Sequence, residues 1–588
     1  MGIDIISLGY IQKMMSIAKG SPRGTYATVE ALTLADPSHD FTYLVVATGS
    51  WYYWDATEEE WTLGGVYQDS AAFNELAGAG RTTETVKANA DAIALRVETS
   101  AVKATVSETP LDTNVLSELY VDTRFKALEA SRIHRYGMKT NKVTGTHTRL
   151  YDAVGKTFRR QVDTIDEVSD FTALYPWSNM KTVKVNAARD ILSIIGDANW
   201  DTTDADEMVL CPTCWSKRWE DATDEYVVVA DAPFEDYLPV GFINPNGTVK
   251  KYSFIGAVHT SNVAAVPYSK AGVMPKYNHP LYHATTGFQI DATNKGTGWS
   301  NIDTQAFELL TRLLDVELGS HDVKTLVGQG INGMTNSYSA LNVCTVATEN
   351  ANTFIMATAR SAYFKVGMMV QIGTSYTTNA LAANRYITEI SEPVEGNVTV
   401  TVDGAVFTTT TSSTIATWGQ PLPEAQLQAL KNESGYVLQF GAENLSHVCY
   451  RGVWDFWGNM WQYLSGLTRY DLQFYVCHDI TKMNVNDPRN VAGWIPTGIA
   501  PNIANGYLKT RQTYRHPSGE IGLPYAVGAG ATTWWSVYLY YFNSDYMGIR
   551  AVLFGGSWNS GSYVSPFFWL GDTSPASALI YFGGRLIC

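Results

Sequence analysis

The sequence predicts an α+β, β-rich, multidomain protein, and three observations carry that expectation. The chain has 588 residues, more than one core serves at roughly 150 residues per domain. It is 45% apolar and 17% charged, with 17 Trp, 34 Tyr and 21 Phe, a composition that suits packed sheets and argues against disorder. Short apolar runs broken by Gly, Asn, Asp and Pro recur throughout, while helical periodicity is confined to a few segments.

Charge and cysteine usage narrow the function classes. Forty-two Lys plus Arg against 57 Asp plus Glu leave a net charge of −15, which disfavours nucleic acid as a partner. The six cysteines, Cys211, Cys214, Cys344, Cys449, Cys477 and Cys588, are too sparse for a disulfide framework and fit a reducing folding compartment. Asp4 interrupts the first apolar run and no basic cluster precedes it, so a secretory leader is not expected. No run of about 18 apolar residues occurs, so no membrane insertion is expected.

In chain order, residues 1–24 form a separate leading segment and residues 25–70 a small β-rich module. Its Trp51, Tyr52, Tyr53, Trp54 and Trp61 suit sugar stacking or, by preference, a packed core. Residues 71–133 read as a helical neck or linker. Val86, Ala90, Ile93 and Val97 are spaced 4, 3, 4, a short seam for trimerisation or merely an amphipathic helix; Val115 to Ile133 is a second helical piece. Residues 134–341 mix short strands, turns such as Asn244-Pro-Asn-Gly247, and one clear helix. Ser300, three before Asp303, gives it a capping-box-like start, and Phe307, Leu310, Leu313, Leu314 and Val316 mark the face that packs on a sheet. Residues 342–420 turn Thr- and Val-rich, with Val398-Thr-Val-Thr-Val402 running into an Asp403-Gly404 hairpin turn, and read as an inserted β domain. Residues 421–588 resume the earlier style, as the second part of a split domain.

The chemical motifs are weak. Cys211-Pro-Thr-Cys214 has zinc-knuckle spacing but no second ligand pair. Gly328-Gln-Gly-Ile-Asn-Gly333 follows a possible strand at Val323 to Val327, yet no helix follows it to hold a pyrophosphate. Glu58 to Glu60 and Asp201, Asp204 and Asp206 include possible glycosidase pairs but read as solvated acidic loops. No nucleophile, base or metal signature is found, so no catalytic residue, metal or cofactor is expected.

The last forty residues are the most informative. Ile549 to Cys588 contains no Lys, Glu, Gln, Met or His, and its only charges are Arg550, Asp572 and Arg585. Tyr, Ser, Asn and Gly without flexible charged side chains make a paratope-like binding face, or a buried Gly-rich meander.

Arg451-Gly-Val-Trp-Asp-Phe-Trp-Gly-Asn-Met-Trp461 resembles a core element of C-type-lectin-like domains related in fold to formylglycine-generating enzymes. Phe554-Gly-Gly-Ser-Trp-Asn559 and Phe582-Gly-Gly-Arg585 resemble the two ends of the variable region in the retroelement-diversified, major tropism determinant-like family of phage tail receptor-binding proteins. Thr42 to Gln68 and Gly296 to Ser300 are also similar to phage tail proteins.

The resemblance implies a C-terminal C-type-lectin-like domain with a variable ligand-binding region at 534–588. In that family, adenine-directed mutagenesis of Asn codons never yields Trp, Lys, Glu, Gln or Met. Its pattern places variable, ligand-binding positions at Ser557, Asn559, Ser560, Tyr563, Leu570, Asp572, Thr573, Ser577, Leu579 and Tyr581, with Tyr538, Tyr540, Tyr541, Asn543 and Ser544 upstream. Trp534 and Trp535 cannot arise from such codons, so they are fixed contacts or packing. Gly458, Asn459, Trp461, Gly555, Gly556, Trp558, Gly583, Gly584 and Arg585 are implied scaffold. The implied function is a host-tropism determinant on the virion tail, assembled in the host cytoplasm and acting extracellularly. It would be a homotrimeric adhesin attached to tail or baseplate proteins through residues 1–24, binding a bacterial surface protein or glycan. Joining Tyr563→Ala to Tyr581→Ala would then abolish adsorption and leave the melting temperature nearly unchanged. The alternatives are a bacterial or prophage-derived lectin of fixed specificity and a formylglycine-generating-type oxidase. The oxidase needs a late reactive cysteine pair that Cys449, Cys477 and Cys588 do not match, and the calcium-dependent sugar motifs of classical C-type lectins are absent.

Overall fold

Alternation in Val398-Thr-Val-Thr-Val402 puts Val398, Val400 and Val402 on one side of the strand Asn397–Val402, and all three are buried. Such strands dominate the computed structural model, which describes residues 25–39, 43–48, 50–56, 58–66, 132–159, 161–162, 169–263, 266–428, 437–439, 446–484, 487–499, 505–528, 535, 538–540, 542 and 545–588. The chain divides into two compact units, Met1–Ala130 and Ser131–Cys588. The leading segment, the seam at Val86 to Val97 and, but for its last two residues, the neck at 71–133 lie outside the described residues.

In the first unit, strands Thr25–Tyr26, Tyr43–Val45, Ser50–Asp55 and Glu60–Val66 form a four-stranded sheet in that order. The first pair is parallel, so the chain must cross over between them, and a short helix, Val29–Ala35, makes the crossing. Leu32 of that helix packs with Tyr43, Val45, Tyr52 and Trp61, and His39 stacks 3.7 Å from Trp54. The aromatic cluster is therefore largely this module's interior.

The second unit holds the rest. One six-stranded sheet orders Ser300–Asn301, Leu586–Ile587, Tyr252–Gly256, Asp206–Pro212, Lys181–Val185 and Ile191–Ile194, so the chain terminus lies inside it. A nine-stranded sheet contains Trp461–Tyr470, Ile549–Phe554, Trp569–Thr573, Tyr538–Tyr540 and the long hairpin Gly506–His516 with Gly519–Gly528. Another six-stranded sheet is local in sequence, running from Cys344–Val346 to Thr414–Ala416. Its hydrophobic cluster also takes in Ile331, Met334, Met460 and Trp558 from outside that span.

Turn chemistry departs from the reading at Asp403-Gly404. The hairpin between Ala382–Ile390 and Asn397–Val402 closes instead at Glu395-Gly396, where Val394 pairs with Asn397 and both central residues are left-handed, at φ 50° and 79°. The Asn244 to Gly247 turn forms as read, with Gly247 N donating to Asn244 O at 2.8 Å.

The central helix, Thr304–Leu318, has the apolar face read from its period, but its start shifts. Asp303 is the N-cap, its Oδ1 accepting from Gln305 N at 3.0 Å and Ala306 N at 2.8 Å, while Ser300 belongs to a strand. The helix packs against Arg135–Asn141, Asp224–Ala230, Trp461–Tyr470 and Gly519–Gly528, and all fifteen of its residues are buried. Its polar side therefore needs internal partners. Glu308 pairs with Arg312 at 2.9 Å, Arg312 with Glu520 at 2.8 Å, and Arg218 with Asp315 at 3.1 Å. Glu317 receives Arg451 through Nε at 2.7 Å and Nη2 at 2.5 Å. Burial pushes Glu308 up, but Arg312, Arg218 and Arg511 more than reverse it, leaving its carboxyl below the ordinary range. His321 bridges Asp315 Oδ1 at 2.9 Å and Thr140 Oγ1 at 3.0 Å and stacks 3.7 Å from Trp535.

Two predictions follow from this interior. Replacing Arg451 by Met strands the Glu317 carboxylate and is expected to lower unfolding free energy by about 3–5 kcal/mol in denaturant titration, with Glu317→Gln in the same chain recovering part of it. Burial also pulls His321 from 6.5 to about 4, so the unfolded chain accepts a proton that the folded chain refuses. That contribution is complete above 6.5 and is lost as pH falls toward about 4. Glu207, pushed up to about 7 by burial, acts in the opposite sense, so the measurement is a difference. The pH slope of stability in that window should be smaller in His321→Gln than in the parent by up to ~1.4 kcal/mol per pH unit.

Candidate functional site

The last glycine-rich motif of the C-terminal region ends in a buried arginine that holds the Arg451 to Trp461 motif. Arg585 is fully buried, and its guanidinium donates to Gln462 Oε1 at 2.8 Å, Gly256 O at 2.7 Å, Trp454 O at 2.6 Å and Asp455 O at 2.9 Å. The planar fork is what allows one side chain to tie together the strands Tyr252–Gly256, Trp461–Tyr470 and Val453–Trp454 and the adjoining Asp455. Gly584 precedes it because any Cβ there would lie 2.5 Å from Asn301 Oδ1. Gly583 sits 3.0 Å from Met460 on the same test.

Gly458 and Asn459 make the second node. Both are left-handed, at φ 80° and 63°. Asn459 donates through Nδ2 to Gln420 O at 2.7 Å and Asp455 Oδ2 at 2.9 Å, and its own O receives Trp558 N at 2.9 Å. Gly458 N donates to Gly555 O at 3.0 Å. Gly556, at φ 75°, lets Phe568 approach to 2.9 Å of where a Cβ would stand, and Phe568 packs 4.6 Å from Trp461. All nine implied scaffold residues are thus buried in one connected frame.

The implied ligand positions divide. Asn559 and Leu579 are exposed, and Ser560, Tyr563, Asp572, Ser577 and Tyr581 are half-buried. Ser557, Leu570 and Thr573 are buried, which corrects their assignment to a ligand face. Ser557 is enclosed within its own turn, donating through Oγ to Asn559 Oδ1 at 2.8 Å and through N to Ser560 Oγ at 2.9 Å. Leu570 lies on the inner side of the strand Trp569–Thr573, packed with Trp461, Tyr463, Leu553 and Phe568. Thr573 donates to Asp572 Oδ1 at 3.1 Å and pairs in register with Ala551.

Tyr563 and Tyr581 border the same aromatic cluster as Leu570, and Tyr581 also borders the core of the 344–416 sheet. Both are therefore packing residues as well as surface ones, so leaving the melting temperature unchanged on their removal is no longer the expectation. Burial raises Tyr581 and Asp572 adds to it, while burial pushes Asp572 itself up against the pull of Arg550 and Arg469. Asn559 and Ser560 lie apart, against residues 332–335, with Gly561 N donating to Asn332 O at 3.1 Å. Strand Tyr538–Tyr540 runs parallel to Trp569–Thr573, with Tyr540 beside Leu570. Tyr541, Asn543, Ser544 and Trp534 lie outside the described residues. Trp535 is packing, buried against His321.

Tyr338 and Tyr507 were not legible as neighbours of this region, because they join it only through the fold. Their rings lie 5.3 Å from Trp558 and 6.3 Å from Tyr563 respectively.

The groups offered to solvent here are hydroxyls, an amide, one carboxyl and aromatic rings, which bind by hydrogen bonding and stacking. Among the described residues, no group of three or more His, Cys, Asp or Glu side chains is placed to hold a metal ion. All six cysteines are unpaired and buried, and burial pushes the thiols of Cys214, Cys477 and Cys588 up to about 12. Of the acidic loop, Asp204 is exposed and pairs with Lys270 at 2.6 Å, but Asp206 is buried and pairs with Lys295 at 2.9 Å, so it is not a solvated carboxylate. The residues Val323–Leu326 ahead of Gly328 form a helix rather than a strand. No described helix is long and apolar enough to cross a membrane. No protein-family model matches the chain, and no curated protein matches it.

The division between buried and exposed positions makes a direct prediction. Ser557→Tyr should lower thermal stability markedly, by about 2 kcal/mol or more, because a large ring has no room inside that turn. Asn559→Tyr should stay within about 0.5 kcal/mol of the parent in the same thermal unfolding measurement.

Proposed function

We propose that this chain is a phage tail receptor-binding protein whose C-terminal region is a C-type-lectin-like domain carrying a diversified ligand face. The observation that carries the reading is the separation within residues 554–585. Glycine, Trp and Arg positions form a continuous buried frame, while Asn559, Ser560, Tyr563, Asp572, Ser577, Leu579 and Tyr581 reach the surface. A frame held by buried glycine, Trp and Arg positions lets the exposed positions change specificity at little cost to folding, less so at Tyr563 and Tyr581, which also pack. On this reading Ser557, Leu570 and Thr573 belong to the frame, and the face takes in Tyr338 and Tyr507.

The partner would be a bacterial surface protein or glycan, met by several copies on a homotrimeric tail fibre so that weak single contacts gain avidity. Residues 1–24 would join tail or baseplate proteins and the neck would hold the trimer.

The test is adsorption of the purified full chain to a panel of bacterial cells, with Asn559, Ser577, Leu579 and Tyr581 replaced together by Ala. Binding should fall at least about tenfold, a change of ~1.4 kcal/mol, while the protein remains folded by circular dichroism. Undiminished adsorption by the folded variant would overturn this assignment of the face.

A further inference from the structure

A cleft of about 210 Å³ opens at the N-terminal end of the central helix, lined by Arg189, Lys250, Gly298, Asp303, Gln305 and His478 among others. It is separate from the residues assigned to the ligand face and does not depend on that reading. Four features on its wall are unexplained by folding alone. The side chains of Arg189 and Lys250 have no ion-pair or hydrogen-bond partner among the described residues. Burial lowers Lys250, against the opposing pull of Asp303 and Cys588, with Arg189 adding a smaller like-charge push, and the Asp303 carboxylate is itself turned to the helix N–H groups. The Gln305 side chain is 93% buried by its 7% exposure, and its Oε1 has no partner. A half-turn of that amide would present the NH₂ instead, since Thr304 Oγ1, 3.3 Å from Nε2, can also donate. His478 is held at Nδ1 by Ser518 Oγ, at 2.9 Å, while its Nε2 is buried and unpartnered.

Arg189 is also placed with care. Its guanidinium lies over Gly298, whose φ is 89° and where a Cβ would stand 2.4 Å from Nη1, so only glycine leaves the side chain room to lie along the wall. Two like charges are thus held at one concave site, with the positive end of a fifteen-residue helix behind them. A bound dianion would give both cations the charge-assisted partner that the described residues do not supply.

We infer that this cleft binds a phosphate-type oxyanion, gripped by Arg189 and Lys250. The anion could be free in solution or carried on a phosphate-bearing polymer. The shared chemistry is the same in both cases.

The experiment titrates the full chain with inorganic phosphate against chloride at matched ionic strength, following calorimetry and thermal unfolding. Saturable phosphate binding is expected, weakened at least about tenfold in Arg189→Gln and in Lys250→Gln. Arg189→Gln should keep the parent's melting temperature in chloride, because its side chain has no hydrogen-bond or ion-pair partner to lose, and Lys250→Gln, which gives up only the longer-range attraction of Asp303 and Cys588, should remain folded by circular dichroism. Gly298→Ala, which displaces Arg189, should weaken binding as well. Binding no stronger than chloride's, or binding undiminished in both Gln variants, would overturn the inference. A poly(glycerol phosphate) arm distinguishes the sources: tighter binding per phosphate than the free ion points to a surface polymer, and equal binding to free phosphate, each with the site intact.

Discussion

The main core of the larger unit is arranged around a helix that has no face left for water. Once Thr304–Leu318 is enclosed on all sides, the charges on its polar stripe must find partners inside. They find them on strands distant in sequence: Arg218 on Trp215–Glu220, Glu520 on Gly519–Gly528, and Arg451 in the turn after Val448–Tyr450. Each pairing fixes the register of a strand against the helix, since a one-residue slip would turn the partner away and strand a buried charge. Hydrophobic burial around the helix supplies the driving force, and the ion pairs specify which arrangement of sheets receives it.

Arg585 does for the C-terminal region what the helix does for the sheets. Its guanidinium meets main-chain oxygens of the six-stranded sheet and of the Trp454-Asp455 turn, so the final residues of the chain lock the Arg451 to Trp461 motif in place. Because both ends of the 554–585 segment are held in this way, the stretch between them is free to carry side chains chosen for reasons other than folding. That freedom is uneven. A turn whose own hydroxyls close it, as at Ser557, and a strand face that meets an aromatic cluster, as at Leu570, return some of those positions to the interior.

The same division between local and long-range causes decides what could be read in advance. The period of Phe307, Leu310, Leu313, Leu314 and Val316 was enough to place the helix, because one apolar stripe is a local property. Its start was misplaced by one capping candidate, as Ser300 is claimed by a strand pairing with Leu586–Ile587 at the far end of the chain. The hairpin at Glu395-Gly396 escaped notice because Glu is a rare occupant of a left-handed turn position, while Asp403-Gly404 looked the better turn. In the small module, alternating aromatics pointed to a packed sheet, but the seven-residue helix that makes its parallel crossing had too short a pattern to be recognised.

The sequence by itself determined the β-rich, multidomain character and the position of the central helix, because these follow from composition and local period, while the scaffold glycines and Arg585 were marked only by their resemblance to a known motif. Only the tertiary structure decided that the polar stripe of that helix is buried and paired, that Ser557, Leu570 and Thr573 face inward while Asn559 and Leu579 face out, and that Arg189, Lys250, Gln305 and His478 share one cleft. Those are matters of which distant strands come together, and no local pattern encodes a partner that lies tens or hundreds of residues away.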